Sequence, residues 1–239
     1  MILDLIGSVE LGFTSAVLIG GMALALGSGL RQRLAIAAAL TAWLLVVVTI
    51  AATGALQTLP DATYAERVGA AGRLGLMIGI PLAAILAAAF ATGLRERLIA
   101  MPISVLIGLN STRILGVSFL ALYAAERLPA PFAPVAGWGD IAVGVAAMPL
   151  ALAAARRPFE NRGLIRAWNI FGLADLVVAV SLGVGTSLLY FAPASLGTGT
   201  MTQLPWLLIP GFAVPLLMAS HVAIFYKLND LSASRPATA

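Results

Sequence analysis

The sequence predicts an all-α fold: a polytopic membrane bundle of seven transmembrane helices, N-terminus outside and C-terminus in the cytoplasm. Three observations predict it. Only 10% of the 239 residues are charged and 61% are apolar, with a mean hydropathy of +1.01, whereas a water-facing domain carries about 25% charged residues. Continuous apolar runs of about 18–25 residues recur along the chain, long enough to cross a hydrocarbon core roughly 30 Å thick. Lysine and arginine gather on alternate loops. The composition excludes a soluble enzyme, a disordered tail and a nucleic-acid module, so nucleic acid is not an expected partner. With no cysteine, disulfides, thiolate metal sites and thiol catalysis are excluded as well.

The seven runs are Leu11 to Leu30, Leu34 to Leu56, Leu74 to Leu94, Ile103 to Tyr123, Trp138 to Ala155, Ala167 to Phe191 and Trp206 to Tyr226. They are called spans 1 to 7 below. Backbone polar groups find no water in a bilayer core, so each span is expected to be helical. Strands are dismissed because the runs are continuous rather than alternating. The loops are too short to fold alone, so residues 1–239 form one domain and any binding or chemistry must use the bundle.

Orientation follows from the basic residues. The segment leading into span 1 carries Asp4 and Glu10 without Lys or Arg, unlike the basic lead of a cleavable signal peptide. With the N-terminus outside, the inner loops and tail hold Arg31, Arg33, Arg95, Arg97, Arg156, Arg157, Arg162, Arg166, Lys227 and Arg235. The outer loops hold Arg67, Arg73 and Arg127, and Arg113 falls inside span 4. Excess positive charge on the cytoplasmic side is the membrane rule this satisfies, which places the protein in a bacterial inner membrane as a multi-pass chain. Tyr64, Tyr123, Trp138, Tyr190 and Trp206 fall at outer ends, and Trp168 and Tyr226 at inner ends, where aromatic rings settle at headgroup depth.

A weak internal repeat lays spans 1 to 3 on spans 5 to 7, residues 8–94 on 138–227, with span 4 left as a linker. Met22-Ala-Leu-Ala-Leu matches Met148-Pro-Leu-Ala-Leu, Ala42-Trp-Leu-Leu-Val matches Ala174-Asp-Leu-Val-Val, and Pro81-Leu matches Pro215-Leu. Chance matching of Ala-, Leu- and Val-rich helices explains the same pairs. A real repeat gives a three-plus-one-plus-three order with parallel halves. In architecture alone that order resembles the sugar carriers built from two triple-helix bundles; none of their sequence motifs is present.

Charge at the bilayer centre costs on the order of 3 kcal/mol, so each ionisable group there is a functional candidate. Arg113 lies about ten residues from either end of span 4, roughly 15 Å from either surface, and must face the bundle to find an anion or carbonyls. Asp175, nine residues past Arg166 in span 6, is its best partner. An Arg113–Asp175 ion pair is therefore expected; a purely structural pair that fixes helix packing is the competing account.

His221, the single histidine, follows Pro210 and Pro215 in span 7, where the prolines should free carbonyls. Asn110 precedes Arg113 in Asn110-Ser111-Thr112, a glycosylation sequon made meaningless by its place inside a span. Asn169 lies six residues before Asp175 and so points to another part of the bundle. Asp140 opens span 5 in Gly137-Trp138-Gly139-Asp140, either as a helix cap or as an outer gate pairing with Arg127. Gly137, Gly144 and Ala151 give span 5 a small-residue face for close packing. The candidate substrate-binding residues are thus Arg113, Asp175, His221, Asn110, Asn169 and Asp140.

No cofactor is expected. Span 7 lacks a lysine for a retinal Schiff base, one histidine cannot make a bis-histidine haem site, and Asp140 stands too far out to join Asp175 and His221 on a metal. No phosphate loop, HExxH or GxSxG motif occurs. Three functions stay open: a small-solute carrier with a polar path between spans 4, 6 and 7; a non-catalytic accessory or assembly subunit; and an intramembrane enzyme using Asp175 or His221 on a lipid or isoprenoid. The expected partners are the lipid bilayer and a small anionic solute drawn by Arg113, or neighbouring subunits or a second copy of the chain.

Overall fold

The computed structural model describes residues 1–57, 62–91, 96–97, 100–157, 160–189 and 198–233. Among these every regular element is helical and no strand occurs. Seven helices are long and apolar enough to cross a membrane, which fits a multi-pass membrane protein. Span 1 is Ile2–Leu26, span 2 Leu30–Thr53 and span 3 Tyr64–Ala91. Span 4, Ile103–Ala124, is broken by a 3-10 segment over Asn110–Gly116. Span 5 is Phe132–Arg156, span 6 Arg162–Leu189, and span 7 a π segment Ile209–Ala213 leading into Val214–Ala233.

Both irregular segments have local causes. Thr112 Oγ1 donates to the Leu109 carbonyl and Asn110 Nδ2 to that of Leu106, so side chains compete with the backbone ladder and tighten the turn. In span 7 Pro215 offers no N–H, and the preceding Val214 N–H reaches back five residues to Ile209 O. Span 2 ends on Gly54 at φ +67, a left-handed cap that suits glycine.

Spans 4 and 7 are the centre of the bundle: half of span 4 and about two thirds of span 7 are buried, against about a tenth of span 2. Span 5 runs along span 4 at very close range because its glycines permit it. A Cβ on Gly137 would stand 2.7 Å from Leu120 Cδ2 and 3.0 Å from Gly116 O, and one on Gly144 would overlap the backbone at Ile114. Gly108 looks onto Ala151. The Gly137–Gly144–Ala151 face is thus the one that packs on span 4, as its spacing predicts.

Several expectations are corrected. Span 5 begins at Phe132, not Trp138, because Pro134, Gly137 and Gly139 are accommodated within the helix. Span 1 begins at Ile2, so Asp4 and Glu10 lie in the helix rather than before it. Arg67 and Arg73, read as loop residues, belong to span 3. Span 7 runs to Ala233 and carries Lys227, so the absence of a lysine from that helix does not hold. Trp206 and Trp168 are buried rather than at headgroup-facing positions: Trp206 Nε1 donates to Asp4 Oδ1 at 2.9 Å and Trp168 Nε1 to Val143 O at 3.2 Å. Tyr64, Tyr123, Trp138 and Tyr226 are exposed at helix ends or flanks. Tyr190, Arg95 and Arg235 lie outside the described residues.

Candidate functional site: a guanidinium held by two carboxylates

The 3-10 segment of span 4 turns Arg113 into the bundle, where its side chain is 1% exposed. Every guanidinium nitrogen is engaged. Nε donates to Asp140 Oδ1 at 2.6 Å, Nη2 donates to Asp175 Oδ2, and Nη1 donates to Gly172 O at 3.0 Å. Nη1 also lies 3.2 Å from His221 Nε2. Arg113 therefore ties span 4 to spans 5, 6 and 7, and four of its five N–H groups are committed. The expected Arg113–Asp175 pair is present.

An arginine only donates, so His221 Nε2 must accept from it, and the ring proton sits on Nδ1. Nδ1–H then donates to Asn169 Oδ1 at 2.7 Å, while Asn169 Nδ2 donates to His221 O at 3.0 Å. This reciprocal pair fixes the amide orientation and the imidazole tautomer together. Trp168 closes over the imidazole with ring centroids 5.4 Å apart. A third layer follows: Asn110 Nδ2 donates to Ser220 Oγ at 3.0 Å, and Ser220 Oγ donates to Leu217 O at 2.7 Å. Asn110 Oδ1 is buried without a partner.

Two site expectations change. Asp140 is neither a helix cap nor a gate on Arg127. It stands eight residues, about 12 Å, inside span 5, which brings it to Arg113; Arg127 donates instead to Asp4 Oδ1 at 2.8 Å. Asn169 does not point elsewhere, since it reaches the cluster through His221 on the neighbouring helix rather than through Asp175 on its own. Five of the six candidates, Arg113, Asp140, Asp175, His221 and Asn169, thus fall in one connected polar centre; Asn110 bonds instead to Ser220, the chain neighbour of His221. Asp140, Asp175 and His221 do meet, but around a guanidinium. Among the described residues no group of three or more His, Cys, Asp or Glu side chains could hold a metal ion.

Sequence reasoning missed the glycines that make room. A Cβ on Gly139 would overlap the Asp175 carboxylate, and one on Gly172 would stand 2.5 Å from His221 Cε1. Their signal was slight: Gly172 lies three residues from both Asn169 and Asp175, and Gly139 directly precedes Asp140.

With both carboxylates ionised and His221 neutral, Arg113, Asp140 and Asp175 sum to one negative charge in an apolar bundle; a proton on either carboxylate brings the sum to zero. Such a cluster is expensive to bury, and its surplus is negative even though Arg113 sits in the middle. A cavity of about 50 Å³ reaches the centre on the Asp140 side, bordered by Thr14, Thr112, Arg113, Ser118 and Asp140 among others. The Asp140 side chain is 14% exposed against 7% for Asp175, so Asp140 is the more accessible carboxylate. The arrangement can hold a proton, accept hydrogen bonds, or balance a positive charge.

The chain belongs to the family described as Domain of unknown function (DUF8737), whose model matches residues 71–229. That stretch contains all six candidate residues and leaves spans 1 and 2 outside. No curated protein and no solved structure matches the chain.

Proposed function

We propose that this is a multi-pass protein of a bacterial inner membrane, N-terminus out and C-terminus in, that carries a small polar solute through the centre at Arg113. The supporting observation is where the charges lie. Two carboxylates and a guanidinium meet at mid-length of span 4, where that helix is 3-10, and span 7 is π about two turns before His221. Interrupted helices beside buried charge are a recurring way of building a transport site. Four committed N–H groups leave Arg113 little to offer an anion. The surplus negative charge supports a solute that brings a donor or a positive charge, rather than the anionic one that Arg113 alone suggests. The parallel repeat, in this reading, organises the helices without sharing the site, because Trp43 and Ala87 stand where Asp175 and His221 do.

A second reading has its own support. The near-complete pairing of Arg113 suits an accessory subunit whose polar groups only pin the bundle. The enzyme reading has less support: its acid/base candidates Asp175 and His221 border neither the cavity beside Asp140 nor the apolar one of about 50 Å³ between spans 3 to 7.

Purified protein in detergent, challenged with small amines, amino acids, sugars and carboxylates in turn, separates these readings by thermal unfolding. A ligand that binds only the folded state at a hundredfold excess over its Kd adds about 2.7 kcal/mol. At least one class is expected to raise Tm of the wild type and not of Asp140→Asn. If no class does, or both proteins respond alike, the carrier reading fails and the accessory one stands.

A further inference from the structure

The Nε and Nη2 nitrogens of an arginine form an edge that ordinarily grips both oxygens of one carboxylate. In Arg113 those two nitrogens meet one oxygen from each of two carboxylates, Asp140 Oδ1 and Asp175 Oδ2. The carboxylates are also neighbours across spans 5 and 6. A Cβ on Gly139, the residue before Asp140, would overlap Asp175 Oδ1, so only glycine there lets Asp175 come in. Both side chains are largely buried, and solvent screens such charges little.

One guanidinium balances one carboxylate. The second charge meets no other cation: among the described residues, the ion pairs of Asp140 and Asp175 are both with Arg113. His221 does not supply one. Its Nε2 accepts from Arg113 and its Nδ1 already donates to Asn169, so a second ring proton would set two cations face to face. Glu10 of span 1 stands behind Ser118 at the border of the cavity and adds a further acidic group. Span 3 carries Glu66, Arg67 and Arg73 near its start, with Glu66 held by Thr63 and Arg67 by the Ala62 carbonyl. Arg162 and Arg166 of span 6 reach Leu228 O and Asn229 Oδ1 near the end of span 7. When two carboxylates share one site and one counter-charge, a proton removes the excess.

We propose that Asp140 and Asp175 share one proton on the Arg113 edge, which makes the centre a one-proton site. The cavity on the Asp140 side is its route. Thr14 borders that cavity with its Oγ1 buried and without a partner. Native proteins ordinarily satisfy such a hydroxyl with water, and water carries a proton to and from a carboxyl. On the carrier reading a cationic solute draws on the same charge, so its entry releases the proton and leaves the centre neutral. That last step rests on the carrier reading; the shared proton does not.

The test is infrared spectroscopy of the full chain at neutral pH in a detergent without ester groups, where the carbonyl stretch of a protonated carboxyl stands apart from carboxylate bands. Wild type is expected to show one protonated carboxyl that Asp140→Asn removes and Asp175→Asn removes equally. Either variant leaves a single carboxylate balanced by Arg113, with no excess charge for a proton to remove. Glu10→Gln should leave that component in place. The proposal is overturned if wild type shows no protonated carboxyl, a measurement that needs no variant. It is overturned too if the component survives either Asn variant, which ties the proton to one carboxyl alone or to another site, or if Glu10→Gln removes it. None of these results touches the carrier reading, which is measured by solute-dependent shifts in Tm.

Discussion

Arg113→Met is expected to abolish most of the folded protein. The substitution keeps the volume but removes the cation shared by Asp140 and Asp175. Two carboxylates are then left facing one another in an apolar bundle, and Gly172 O and His221 Nε2 lose their donor. Removing one partner of a buried pair costs about 3–5 kcal/mol, a large part of the 5–15 kcal/mol that a typical domain has in total. The link from span 4 to spans 5, 6 and 7 goes with it. Monodisperse yield by size exclusion and Tm in detergent check this. Adding Asp140→Asn and Asp175→Asn to Arg113→Met removes the unpaired charge and should recover folded yield. If Arg113→Met alone folds like wild type, the guanidinium does not organise the centre.

Gly144→Val should be nearly as damaging for a purely steric reason. Even the first carbon of the side chain would overlap Ile114 N and stand 2.8 Å from the Arg113 carbonyl carbon. These are backbone atoms of the 3-10 segment, so no rotamer change relieves the clash. Spans 4 and 5 would have to separate, pulling Asp140 from Arg113. Overpacking typically costs about 1–3 kcal/mol, sometimes more, and here the loosened ion pair adds to it. Gly185→Ala is the control: nothing lies within 4 Å of its added carbon, and alanine in a helix interior is favoured over glycine by roughly 0.5–1 kcal/mol. A large fall in Tm for Gly144→Val beside a level or raised Tm for Gly185→Ala is expected. Equal behaviour of the two would refute the close-packed face.

The sequence made the helices and the Arg113–Asp175 pair legible because both follow from the cost of polarity among apolar residues. Length and continuity gave seven spans, and a lone arginine in mid-span demanded a carboxylate at matching depth. Asp140 was misplaced for a local reason. Pro134 and Gly137 read as loop residues, yet proline is tolerated in a first helical turn and glycine is a packing surface between membrane helices. That set the start of span 5 six residues late, at Trp138, and left Asp140 in what read as its first turn. Asn169 was misread because helical spacing compares residues on one helix, whereas its partner His221 comes from the next. Trp206 and Trp168 were assigned by type and position along the helix, and which face a residue turns inward is settled by neighbours the sequence does not order. Thr14 carried no signal at all: a threonine in an apolar helix becomes notable only when its hydroxyl is seen without a partner.

The central claim is that the centre at Arg113 is a site reached by water and not a dry pin. The chain has no cysteine, so a single introduced thiol reports accessibility without background. Thr14→Cys borders the cavity, while Leu18→Cys, one turn further along span 1, is fully buried and does not. In intact membranes, a membrane-impermeant cationic thiosulfonate is expected to modify Thr14→Cys and leave Leu18→Cys unmodified until detergent denatures the protein. If both thiols stay inert in the membrane and react only on denaturation, the centre is closed to water and its charges serve packing alone.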